Sequence, residues 1–326
     1  MRIAALALVV LSLAVTSARG EAPAPAAAGQ KAILVTGAST GIGRKITERL
    51  AADGYFVYAG ARKDADIAAL NAIKNVQAMR LDVTKPDEIA AAVAAVTQGG
   101  RGLWGLVNNA GVAVAGPFAD LKDEDFDFVM NVNAYGPFRM TKAFLPLVAA
   151  SKGRIVTISS ISGILSSGNL GVYSMSKHAV EAFGDSLAVQ VEPLGVAVSL
   201  IEPGNYNSQI GVSAVARTGG DPKLADRSRY KEPDEVALAV EQALFEPVPK
   251  RRYMVVPDQH EAEITIRKAI EELVQLNEGQ NFTYSRDALV GMLDEALKTA
   301  RPATTAASTT AAPTPAAPAR DAANAD

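Results

Sequence analysis

From Lys31 onward the chain alternates short, uninterrupted apolar runs with amphipathic stretches, and this alternation restricts the fold more than any other feature. Ala32-Ile33-Leu34-Val35 is short and wholly apolar, so it reads as a strand buried on both faces. Residues 43–53 follow as a helix, 55–59 as a second strand and 76–81 as a third. A helix is predicted over 86–97, with Pro86 in its first turn and Thr84 as its cap, and a fourth strand over 103–107. Residues 126–150 are helical in pattern, and Pro137 and Pro146 predict a break or kink. A fifth strand at 154–158, a long helix at 173–191, a sixth strand at 196–201, a helix at 234–245 and a short strand at 253–256 complete the series. Strands and helices in this order build βαβ units. The expected fold is therefore α/β: a Rossmann-type doubly wound parallel sheet of about seven strands in one domain, residues 31–257. Helices predicted over 261–276 and 287–298 form a C-terminal helical extension, 258–300.

The two ends of the chain differ from this pattern. Arg2, an apolar run from Ile3 to Val15 and the small residues after it read as a signal peptide over 1–20, followed by an Ala/Pro linker over 21–30. The apolar run is shorter than the roughly 20 residues of a spanning helix, so no stable membrane span is expected. If the signal is cleaved the protein is exported, periplasmic or secreted; otherwise it is cytoplasmic or membrane-tethered. Residues 301–326 are almost all Ala, Thr and Pro and read as a disordered tail.

Composition removes several kinds of chemistry. There is no cysteine, and only two histidines, His178 and His260, so thiol catalysis and a histidine- or thiolate-held zinc are set aside and no metal is assigned. A net charge of −3 offers no basic surface for nucleic acid. The expected partner is a small molecule.

The first strand ends in Thr36-Gly37-Ala38-Ser39-Thr40-Gly41-Ile42-Gly43. Glycines belong where a chain turns tightly and lets its backbone approach a pyrophosphate, which the next helix N-terminus then attracts. The same residues also match G-x-S-x-G, the nucleophile elbow of serine hydrolases, with Ser39 as nucleophile and His260 as its base. The second strand ends in Ala61-Arg62, with no carboxylate for a ribose 2′-hydroxyl and a guanidinium suited to a 2′-phosphate. That favours NADP(H) over NAD(H). Asp82-Val83 and Asn108-Asn109-Ala110-Gly111 follow the third and fourth strands, where loops at the carboxyl edge of a parallel sheet line the ligand crevice.

Tyr173 and Lys177 are four residues apart in a predicted helix and so share a face. An ammonium beside a phenol favours phenolate and brings a pKa of about 10 towards the working range of a general acid or base. Ser160, thirteen residues before Tyr173, follows the fifth strand and can hydrogen-bond a substrate oxygen.

Together these residues resemble the short-chain dehydrogenase/reductase family over about residues 31–257. The resemblance implies a cofactor loop from Thr36 to Gly43, an adenine contact at Asp82, and the N-N-A-G segment at 108–111. It implies a catalytic tetrad of Asn133, Ser160, Tyr173 and Lys177, in which Asn133 positions a water and Lys177 also holds the nicotinamide ribose. Pro203-Gly204 matches the family's P-G motif near the nicotinamide, and Ser208 stands where the family commonly has threonine. The implied activity is NADP(H)-dependent interconversion of a secondary alcohol and a carbonyl, the substrate being hydrophobic, retinoid- or steroid-like, or an aldehyde or ketone. The alternatives are the Ser39 hydrolase and an NADP(H)-binding sensor or scaffold without turnover. A homodimer or homotetramer is implied as well.

Residues 205–231 are long, polar and glycine-containing, and the resemblance makes them a lid that sets specificity together with the appended helices. Phe118, Tyr206 and Ile210 are candidates for an apolar pocket. Trp104 and His178 read as structural, the acidic cluster 120–127 as the start of a helix, and Lys250-Arg251-Arg252 as a solvated loop.

Overall fold

The computed structural model describes residues 29–300 apart from 219–222 and 224. The predicted signal peptide, most of the linker and the tail lie outside the described residues. The strands are β1 (Ala32–Val35), β2 (Phe56–Ala61), β3 (Val76–Arg80), β4 (Gly105–Asn108), β5 (Arg154–Ile158), β6 (Ala197–Pro203) and β7 (Arg252–Val255). The helices are α1 (Gly41–Ala52), α2 (Asp64–Asn71), α3 (Pro86–Gln98), α4 (Asp123–Asn133), α5 (Tyr135–Ala150), α6 (Gly171–Val191), α7 (Ile210–Thr218), α8 (Asp234–Phe245), α9 (Gln259–Asn277) and α10 (Arg286–Ala300).

All seven strands are parallel, in the order β3-β2-β1-β4-β5-β6-β7. The chain starts in the middle, runs out to β3, then crosses to β4 and continues the other way. The reversal leaves a crevice at the carboxyl ends of β1 and β4, the usual ligand position in open α/β sheets. Side-chain alternation along β1 divides the core. Ala32 and Leu34 pack with Leu106, Ile155, Met140 and Phe144 on the face covered by α3, α4, α5 and α6. Ile33 and Val35 pack with Ile46, Leu50, Val236 and Val240 on the face covered by α1 and α8.

Several local expectations change. The predicted helix at 126–150 is two helices that meet at Ala134. Pro137 lies in the first turn of α5, where an amide hydrogen has no intrahelical partner, while Pro146 sits inside α5 without ending it. The cap of α3 is Lys85 rather than Thr84, whose N–H and hydroxyl both donate to Asp82 Oδ1, at 2.9 and 2.7 Å. The polar stretch after β6 contains a helix, α7. Arg252 is no solvated loop residue: it opens β7 and pairs with Glu181, Asp185 and Glu202.

The chain divides after Ala269 into two compact units. The first holds the sheet and everything described below. The described part of the second holds the end of α9 and all of α10, with Ile270, Leu273, Leu293 and Leu297 exposed. No helix among the described residues is long and apolar enough to cross a membrane.

Candidate active site

Three loops interlock at the crevice. Thr36 Oγ1 accepts the N–H groups of Asn109 and Ala110, both at 3.0 Å. Asn109 Nδ2 returns two bonds, to the carbonyls of Thr36 at 2.9 Å and Gly37 at 3.0 Å. The glycines serve this closeness. Gly37 has φ +63° with the Ala110 backbone against it, and a Cβ on Gly43 would stand 2.2 Å from the Gly37 carbonyl oxygen. Gly41, at φ +53°, lies against Ser208, whose Cα a Cβ would meet at 3.2 Å. Thr40, the N-cap of α1, makes no side-chain capping bond, so the first-turn amides of α1 open towards the crevice.

The crevice is a cavity of about 780 Å³ running from the end of β2 to α6 and the segment after β6. One end is lined by Gly60, Ala61, Arg62, Asp82 and Val83. Arg62 is exposed and makes no ion pair among the described residues, while its carbonyl accepts from Arg80. Ser39 to Gly43, Asn109 to Gly111, Pro203, Gly204 and Ser208 line the middle. An adenine dinucleotide fits this donor set. Uncapped helix amides and a turn that a Cβ would fill suit the pyrophosphate, and a guanidinium at the end of β2, where no acidic residue stands, suits a 2′-phosphate.

Ser160, Tyr173 and Lys177 line the other end. Ser160 follows β5 in an extended conformation; its Oγ accepts from the Ser162 amide at 3.1 Å and donates to the Pro203 carbonyl at 3.4 Å. Lys177 is buried and its Nζ donates to the Ile158 carbonyl at 2.9 Å, 5.6 Å from the centre of the Tyr173 ring. Burial pushes the Lys177 pKa down to about 8, against the charge of Glu181, which raises it. Burial raises the Tyr173 phenol, and the Ser160 hydroxyl and Arg227 guanidinium act the other way.

Asn133 is placed differently from the other three. It is buried and does not line the cavity. Its Nδ2 donates to the Val112 carbonyl at 2.8 Å and to Ser176 Oγ at 3.0 Å, and its Oδ1 accepts the Val112 amide at 2.9 Å. The side chain clamps the β4 loop to α6. Thr36 likewise stands behind the wall. Tyr206 and Ile210 line the cavity as expected of an apolar pocket, but Phe118 lies over Gly171 at the start of α6 instead.

The hydrolase constellation does not assemble. Ser39 faces the cavity, but His178 Nδ1 is bonded to the Ser174 carbonyl at 2.9 Å, and neither it nor His260 lines the cavity. Sequence reasoning missed Arg227 and Glu261, which do line it, because each reaches the site from a segment with no local pattern that marks it. It also missed the buried pair Glu181 and Glu202 behind Lys177. Burial and the neighbouring Glu181 raise the Glu202 pKa to about 7.

A parallel sheet with this switch point, a glycine turn at it and a Ser–Tyr–Lys wall defines a dinucleotide-dependent class of protein. A model of the short chain dehydrogenase family matches residues 31–218, and the chain belongs to that family. It is 39% identical over 190 residues to the mitochondrial D-beta-hydroxybutyrate dehydrogenase of Rattus norvegicus, covering 55% of this chain and 55% of that protein. It is 39% identical over 184 residues to retinol dehydrogenase 7 of Mus musculus, covering 55% of this chain and 58% of that protein. The chain thus spans little more than half the length of these curated relatives. Among solved structures, a short-chain dehydrogenase from Streptomyces avermitilis superposes with a TM-score of 0.66 at 28% identity, covering 78% of this chain and 100% of that one.

Proposed function

We propose that the protein is an NADP(H)-dependent oxidoreductase that interconverts a secondary alcohol and a carbonyl, with Tyr173 as the acid/base. The observation that carries this is that Ser160, Tyr173 and Lys177, in contact through the Tyr173 ring and phenol, line the same cavity as the glycine turn before α1. When bound, the nicotinamide cofactor supplies or accepts the hydride. In reduction, Ser160 donates a hydrogen bond to the carbonyl oxygen, and Tyr173 gives it the phenolic proton. The Lys177 ammonium, held by the Ile158 carbonyl, stabilises the phenolate left behind. Asn133 keeps the loop at Val112 against Ser176 and so fixes the helix that carries Tyr173 and Lys177. Arg62 favours the 2′-phosphate form of the cofactor. Ile161, Leu165, Tyr206 and Ile210 give the substrate end apolar surface, which supports a substrate with a hydrophobic body.

The test is oxidation of NADPH and of NADH over a panel of carbonyl compounds. NADPH-dependent turnover is expected. Tight NADPH binding with no turnover across the panel would favour a sensor or scaffold. Cleavage of residues 1–20 on export and assembly into a dimer or tetramer complete the proposal; N-terminal sequencing of secreted protein and light scattering test them.

A further inference from the structure

Arg227 bears on what the substrate must carry. After α7 the chain returns to the turn that follows β6, and Arg227 fastens itself there. Its Nε donates to the Tyr206 carbonyl at 3.1 Å and its Nη2 to Asn205 Oδ1 at 3.0 Å. The Tyr230 ring centre lies 4.4 Å from the guanidinium carbon. These three contacts fix the plane of the cation. They occupy its Nε side and leave the Nη1 edge without a protein hydrogen bond among the described residues.

The guanidinium lines the same cavity as Tyr173 and Ser160, and its charge is felt at the phenol. What it lacks is a direct ion pair. Among the described residues no carboxylate comes within ion-pair distance of it. Glu261 also lines the cavity and its charge acts on Arg227, but its two oxygens accept from Asn205, from the backbone N–H at 2.9 Å and from Nδ2 at 2.8 Å, and neither pairs with the guanidinium directly. A half-buried guanidinium held rigid without a direct ion-pair partner leaves donor capacity unused, and its planar edge matches the two oxygens of a carboxylate.

Resting on the oxidoreductase reading above, we propose that Arg227 anchors a carboxylate on the substrate. The substrate is then a hydroxy acid or oxo acid with an apolar body, rather than a neutral alcohol or ketone. The acid end lies against Arg227, the body against Ile161, Leu165 and Ile210, and the reacting carbon between Ser160 and Tyr173. Preorganisation supplies the selectivity, because the guanidinium gives up little freedom when the carboxylate arrives.

The experiment compares a series of 3-oxo acids with their uncharged methyl esters, using NADPH and the full chain. In the wild type the acid is favoured in kcat/KM by roughly tenfold to a hundredfold, the range of a charge-assisted hydrogen-bonded pair. Arg227→Gln collapses the acid-to-ester ratio towards one, and Arg227→Lys keeps part of it. A wild-type ratio of one or below, with the ester well reduced, overturns the anchor and leaves the Tyr173 chemistry standing. An equal loss for acid and ester in Arg227→Gln, or a loss confined to NADPH affinity, also overturns it. If Arg227→Gln does not fold, the wild-type ratio and Arg227→Lys still decide.

Discussion

Lys177 Nζ donates to the carbonyl of Ile158 at 2.9 Å, so a single hydrogen bond ties the helix carrying Tyr173 to the strand end that leads into Ser160. The ammonium is thereby held under the phenol instead of swinging into the cavity. Its proton is also weakened, since burial lowers its pKa from 10.5 to about 8 while Glu181, one turn along α6, acts against burial.

A pH profile reads this directly. The ammonium is present below about pH 8 and is lost above it. The kcat/KM for carbonyl reduction is therefore expected to fall as pH rises through that value. Glu181→Gln removes the charge that supports the ammonium, and the fall should move to lower pH. A move to higher pH contradicts the assignment.

Stability should respond to Glu202. Its side chain is buried beside Glu181, with Oε1 3.3 Å from Arg252 Nε, and its pKa is raised from 4.5 to about 7. A carboxyl with a raised folded pKa contributes most when protonated. That contribution is full below pH 4.5, declines as pH rises and is gone above about 7. Glu202→Gln cannot ionise, so it should gain on the wild type by on the order of 3 kcal/mol across this window. Urea unfolding at a series of pH values measures the difference, and a difference independent of pH refutes the account.

Gly43 is expected to tolerate no side chain. A Cβ there would stand 2.2 Å from the Gly37 carbonyl oxygen, which is part of the turn itself and cannot rotate away. Gly43→Ala should weaken NADPH binding by more than about tenfold, equivalent to over 1.4 kcal/mol, in a fluorescence titration. Unchanged affinity would show that the turn is not the phosphate site.

Cofactor choice is assigned to Arg62, which follows β2 and faces the cavity without an ion-pair partner among the described residues. Arg62→Ala should raise the KM for NADPH by roughly tenfold, the scale of a charge-assisted contact, and leave that for NADH little changed. Equal changes for the two cofactors would remove the 2′-phosphate assignment.

The sheet was readable in the sequence because buried parallel strands are continuous apolar runs, and Ala32–Val35 and Phe56–Ala61 announce themselves that way. The cavity residues at strand ends were readable for a related reason: the fold fixes where strand ends go, and so the positions of Asp82, Asn109 and Ser160 just after β3, β4 and β5 suffice to put them at the crevice. What the pattern does not carry is contact between distant segments. α2 was missed because it buries only Leu70, and α7 because its nine residues sit inside the polar, glycine-containing stretch 205–231 and were read as part of it. Arg227 reaches the site through hydrogen bonds to Asn205 and Tyr206, and nothing in Asp226-Arg227-Ser228 foretells them. Arg252 looked like one member of a basic run until β7 set it beside two buried carboxylates. Asn133 was found by its motif, yet its contacts with Val112 and Ser176 were not legible in it.

The central claim is that the Tyr173 phenol carries the proton, and Tyr173→Phe tests it most directly because it removes one oxygen and leaves the ring in place. With NADPH and the best carbonyl of the panel, kcat should fall by roughly 10²–10⁴-fold while NADPH affinity is kept. A phenylalanine variant that reduces the same carbonyl at the wild-type rate would contradict the mechanism outright.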